Sequence, residues 1–164
     1  MPFMQRFMRF VTVLHRRPNA IARISGSAQY PDINGTVRFF TTAQGVLVGA
    51  EVFGLPKSAG KCDSNIFAFH IHSGSRCSGN EEDPFANAMT HYNPGGCPHP
   101  AHAGDLPPLF ANDGYAFLVF LTDRFSLREI IGKTVIIHSS VDDFTSQPAG
   151  KAGMKIACGE IKAF

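Results

Sequence analysis

The stretch HYNPGGCPHPAHAGD, residues 91–105, gathers three histidines, a cysteine and an aspartate among three prolines and three glycines. Proline removes backbone donors and glycine weakens both helix and strand, so this segment reads as a loop. Neutral imidazoles and a carboxylate are metal ligands. His91, His99, His102 and Asp105 offer three nitrogens and one oxygen, the donor set of a closed tetrahedral zinc site.

Six of the seven histidines fall between positions 70 and 138. On IFAFHIH, residues two apart share a strand face, so His70 and His72 point the same way while Phe67, Phe69 and Ile71 turn toward a core. Their Cα atoms should stand roughly 7 Å apart, close enough for both rings to reach one ion. In TVIIHSS, His138 has the opposite parity to Val135 and Ile137 and leaves the core as well. A nitrogen-rich tetragonal set of this kind suits Cu(II). Two complete sites result if one histidine serves both ions. His15, alone near the N-terminus, reads as a solvated residue.

The elements that must position these groups are mostly strands. Period-two alternation marks AIARISGSAQY, GTVRFFTT, GVLVGAEVFGL, IFAFHIH, GYAFLVFLTD, TVIIHSS and KIACGEIKAF. Asp83-Pro84 before FANAM predicts a helical turn. Ser126 with Glu129 predicts a capping box, and Gly132 ends that turn. About eight short strands joined by glycine-bearing connections predict an all-β chain, an eight-stranded Greek-key barrel or sandwich with long metal-binding loops. Residues 1–19 are expected to form an N-terminal tail and residues 20–164 one domain.

The totals are consistent with this reading. The chain has 164 residues, 44% of them hydrophobic, and a formal net charge of +2, which gives no case for nucleic-acid binding. No apolar run approaches bilayer length, so membrane insertion is not expected. At the N-terminus, Phe3, Phe7, Phe10 and Leu14 recur at helical spacing among Arg6, Arg9 and Arg16. That segment reads as a tail or a helix packed on its own domain rather than a membrane-surface helix, and it lacks the form of a secretory signal. A cytoplasmic location is therefore expected. Cys62, Cys77, Cys97 and Cys158 form no C-x-x-C pair, which argues against a thiolate zinc site.

Five segments in order resemble those of the copper/zinc superoxide dismutase family: AFHIHSG, HYNP, HAGDLPPL, TVIIHSSVDD and KIACGEI. The resemblance spans about Ala20 to Ile161. It implies copper held by His70, His72, His91 and His138, and zinc held by His91, His99, His102 and Asp105, with His91 bridging. It implies that Asp142 links one copper ligand to one zinc ligand, and that Cys77 pairs with Cys158. Cys62 and Cys97 match no cysteine of the pattern; they could form a second bridge or remain free. The implied activity is conversion of superoxide anion to oxygen and hydrogen peroxide. Copper would alternate between Cu(II) and Cu(I), His91 would carry a proton, and a homodimer is possible.

Three departures from the pattern stand out. Only two residues separate His99 from His102, a shorter gap than usual. The segment between Asp142 and Cys158 is also short. Lys155 stands where the family places an arginine, keeping the charge but losing the planar two-point fork. In the enzymatic reading, Lys155 attracts the anion. The alternative is a non-enzymatic relative that stores or buffers copper or zinc.

Overall fold

The computed structural model describes residues 11–57, 60 and 64–164. The expectations for Phe3, Arg6, Phe7, Arg9 and Phe10, and for Cys62, lie outside the described residues. The strands are β1 (Ala20–Gly26), β2 (Asn34–Thr42), β3 (Gly45–Phe53), β4 (Ile66–Phe67), β5 (Phe69–His72), β6 (Leu109–Asn112), β7 (Tyr115–Thr122), β8 (Thr134–His138) and β9 (Lys155–Ala163). All the pairings are antiparallel, in the spatial order β4-β6-β7-β3-β2-β1-β9-β8-β5. Because β4 and β5 are consecutive in the chain yet lie at opposite ends of that order, the sheet curls into a nearly closed barrel.

Among the described residues nine strands stand where alternation marked seven segments, for two local reasons. IFAFHIH divides at Ala68, whose N–H donates to Ser140 O and whose carbonyl accepts from His138 N–H, so it bonds to the end of β8 and the turn after it, while β4 on its other side pairs with β6. The short strand β6 follows Pro107 and Pro108, which hid it in the sequence.

Alternation places Ala22, Ile24, Val37, Phe39, Val48, Ala50, Val52, Phe69, Ile71, Val135 and Ile137 in one buried apolar core. β8 is buried on both faces. Its Ile136 points away from that core into a second cluster with Phe85, Ala88 and Cys158. The cluster is tied by the disulfide Cys77–Cys158, with Cα atoms 5.6 Å apart and 81 positions between them. Cys97 is unpaired and exposed. Ala86–Ala88 form a single 3-10 turn, and Asp83 accepts the Phe85 N–H at 3.0 Å. At α1 (Leu127–Ile130), the Glu129 carboxylate accepts from the Ser126 N–H at 2.6 Å, and Gly132 closes the turn at φ 84°. Residues 11–14 are helical, and Leu14 lies over Gly49 of β3, so this part of the N-terminal segment packs on its own barrel. Among the described residues, no helix is long and apolar enough to cross a membrane.

The disulfide holds residues 73–90 against β8 and β9. On the chain-entropy model a loop of this length stabilises by roughly 4–5 kcal/mol. Cys158→Ser should lower the urea midpoint of the metal-free protein accordingly; an unchanged midpoint would show that the crosslink constrains nothing.

Candidate metal centre

The free edge of β5 organises the centre. Two isolated antiparallel bridges place His91 opposite His72 and Asp105 opposite His70. They are flanked by Tyr92 N–H to Ile71 O at 2.8 Å, Ile71 N–H to Gly104 O at 2.9 Å and Gly104 N–H to Tyr92 O at 2.8 Å. Two passes of the irregular 91–105 segment are thereby fixed to the strand that carries His70 and His72. His138, at the end of β8, joins from the neighbouring strand, which pairs with β5 from Phe69↔Ile137 to His72↔Thr134.

Six histidines and Asp105 converge into two groups that share His91. One is His70, His72, His91 and His138; the other is His91, His99, His102 and Asp105. Within each group the candidate donor atoms lie within 4.8 Å of one another. Every member is buried, from 0% exposed at His70 to 7% at His91. The parity argument therefore holds with an addition: the histidines leave the apolar core, but the loops bury them again.

Outer contacts fix each ring. His70 Nε2 donates to Asp142 Oδ2 and His99 Nε2 to Asp142 Oδ1, both at 2.8 Å. His72 Nδ1 donates to Met89 O at 2.8 Å, and His138 Nδ1 to Gly153 O at 3.2 Å. Each of these rings has spent its proton on the outside and, when neutral, turns a bare lone pair inward. At three of them, His70, His72 and His138, burial favours the neutral form. Burial and the neighbouring His138 push the His72 pKa down to about 2. Burial and neighbouring histidines push His138 down to about 3. Burial also lowers His70, against the opposing pull of Asp142. Burial would raise Asp142, but hydrogen bonds from His70, the Phe144 N–H and His99 bring it down to about 2, so it stays an anion.

The donor set fits cations. His70 Nδ1, His91 Nε2 and His99 Nδ1 are buried and have no hydrogen-bond partner. His72 Nε2 and His138 Nε2 face each other at 3.2 Å with no proton between them, a repulsive contact unless a cation accepts both lone pairs. In the second group, His91 Nδ1 lies 3.3 Å from His102 Nδ1, and Asp105 oxygens lie 3.1 Å from His99 Nδ1 and 3.3 Å from His102 Nδ1. Four donors at zinc–ligand distance in a tetrahedron stand about 3.3 Å apart. The first group is all nitrogen, as a tetragonal Cu(II) site prefers.

Four supporting residues carried no sequence signal. Gln147 clamps the His99 backbone at both ends, its Oε1 accepting the N–H at 2.9 Å and its Nε2 donating to the carbonyl at 2.7 Å. The short His99–His102 link is thus held from a second loop. Gly150, at φ 67°, lies against Asp142 and His99, where any Cβ would collide with the carboxylate. Met89 and Gly153 act only through carbonyls, which the side-chain code does not announce. His15 lies apart, its Nδ1 on Val11 O. Lys155 does not point freely toward the centre: its Nζ donates to Asp83 Oδ2 at 2.6 Å and Phe85 O at 3.2 Å. It lines a depression with His138, Met154, Glu81 and Glu82.

Comparison with known proteins gives a consistent picture. The family model described as Copper/zinc superoxide dismutase (SODC) matches residues 33–161. The Cu-Zn superoxide dismutase 2 of Aquifex aeolicus is 34% identical over 146 residues, covering 80% of each chain. That of Deinococcus radiodurans is 31% identical, covering 80% of this chain and 78% of its own. The Cu/Zn superoxide dismutase structure from Brucella abortus superposes with a TM-score of 0.71 at 25% identity, covering 86% of this chain and 98% of that one.

Asp142 accepts from one ring of each set, His70 and His99. Asp142→Asn leaves one acceptor for two ring N–H donors and should weaken copper and zinc binding about 10–100-fold each, as measured by chelator competition. Parental affinity for both metals would show that Asp142 is an ordinary turn residue.

Proposed function

The chain belongs to the copper/zinc superoxide dismutase family, and from that premise we propose that it converts two superoxide anions and two protons into oxygen and hydrogen peroxide. In this reading His70, His72, His91 and His138 hold copper, and His91, His99, His102 and Asp105 hold zinc. The observation that carries the reading is the single imidazole of His91 standing in both clusters. Bound copper supplies the one-electron redox chemistry, and bound zinc supplies fixed positive charge beside it.

The chain's own residues do the rest. Asp142, Met89 O and Gly153 O hold four rings in tautomers that present lone pairs inward. His91 Nδ1 lies 2.8 Å from Asp105 Oδ1, while its Nε2 is buried without a partner. His91 Nε2 is therefore the atom at which a proton can be held and released inside the centre. The near-complete burial of the rings excludes bulk water from all but the side approached by the anion.

Lys155 is the candidate guide for that anion, though its charge is paired with Asp83. Pairing with a second copy belongs to the same reading and is supported by Phe53, Phe110 and Phe117, which are 45%, 62% and 61% exposed. The Cys77–Cys158 disulfide favours an oxidising compartment over the expected cytoplasm.

Two measurements test this reading. Protein shown by metal analysis to carry copper and zinc should consume superoxide, and the copper-free form should not; fully loaded protein without activity would favour metal storage. With copper content matched, Lys155→Ala should slow the reaction several-fold at low salt. Asp83→Asn, which releases the ammonium from its partner, should speed it, and both differences should fade toward 1 M salt as screening shortens to about 3 Å. If neither variant moves the rate, Lys155 does not guide the substrate.

A further inference from the structure

Three carbonyl oxygens of the loop bearing His99, His102 and Asp105 point at one nitrogen. Arg124 Nη1 lies 3.1 Å from Pro100 O, 3.1 Å from His102 O and 3.2 Å from Asp105 O. Arg124 stands just past the end of β7, its own backbone N–H bonded to Thr122 Oγ1 at 3.2 Å. It therefore ties the loop to the barrel wall. We infer that Arg124, an exposed residue whose guanidinium lies against the loop, is a positioning residue of the second metal cluster and shapes the loop before any zinc arrives. The inference rests on the assignment of zinc to that cluster.

The loop's own backbone bonds leave two of these three carbonyls unanswered. Ala101 N–H donates to Pro98 O, Asp105 N–H donates to His102 O, and Gly104 N–H reaches Tyr92 O. None of these bonds uses the carbonyl of residue 100 or of residue 105. Arg124 answers both oxygens, and through their peptide planes it adds to the hold that the His70–Asp105 bridge and the His102 N–H bond to Asp105 Oδ2 already exert on the loop. A guanidinium suits the task because its donors are fixed in a plane and its charge strengthens each bond. The two bonds to residues 102 and 105 are partly buried, which limits competition from water. Arg124 touches neither His91 nor the copper cluster in any contact described, so its influence runs through the loop. It also bonds to backbone rather than to any loop side chain, which lets a short link between His99 and His102 keep its path.

The test uses the full chain loaded with copper and zinc, with zinc release into a chelator as the readout. Arg124→Ala should release zinc about 10–100-fold faster than the parent, the scale typical of groups that orient metal ligands. Arg124→Lys, which restores a cation with three donors, should recover part of that loss. The urea midpoint of the metal-free Arg124→Ala protein should stay near the parental value, because the loop adds little to the barrel core. If Arg124→Ala releases zinc at the parental rate, the assignment is wrong. It is equally wrong if zinc release quickens only together with a fall in the urea midpoint and Arg124→Lys restores nothing. Should Arg124→Ala fail to fold, Arg124→Lys and Arg124→Gln are compared directly, and equal zinc release from the two overturns the inference. A parent that binds no zinc overturns the cluster's assignment itself, separately from Arg124.

Discussion

Six imidazoles buried with their lone pairs turned toward one another form the constraint that the remaining structure answers. Taken out of water, His70, His72 and His138 resist protonation, and their pKa values are depressed. Neutral rings in contact cannot satisfy one another, because four of the six, His70, His72, His99 and His138, have given their protons to outer acceptors. Cations at the two points of convergence would relieve the arrangement. The shared ring of His91 then places those two points on either side of one imidazole.

Holding such a cluster requires supports that do not yield. The β5–β8 pair supplies one wall, with both strands wholly buried. The other wall is irregular chain, fastened piecewise: by bridges along the β5 edge, by Gln147 on His99, by Arg124 on the following carbonyls, and by a disulfide behind residues 73–90. Asp142 joins the two halves of the centre through one carboxylate. Rigid strands fix three rings of the first group, His70, His72 and His138, whereas the second group depends on a loop that other loops must brace.

Much of this was legible in the sequence because its signals are side-chain signals. Alternation in GVLVGAEVF or TVIIH reports a strand and its faces, and histidine parity separates His70, His72 and His138 from the core. Family motifs added the partition of ligands, Asp142 and the cysteine pairing. What stayed hidden acts through backbone or distant contacts. The carbonyls of Met89 and Gly153 have no residue code, and Gln147 and Arg124 lie in ordinary-looking turns. β6 was masked by the prolines before it, and the break at Ala68 follows from tertiary hydrogen bonds to β8 and its following turn. Lys155 looked like a free cation in the sequence; its partner Asp83 lies 72 positions earlier, a pairing that no local pattern reveals.

The most direct test of the central claim, one imidazole shared by two metal ions, is the electron paramagnetic resonance spectrum of copper-loaded protein before and after zinc is added. If His91 bridges, zinc binding must change the ligand field at copper, and the spectrum shifts in the parent but not in His91→Ala. If metal analysis finds zinc bound to the parent while its copper spectrum stays as it was, the two sites do not share His91 and the account fails.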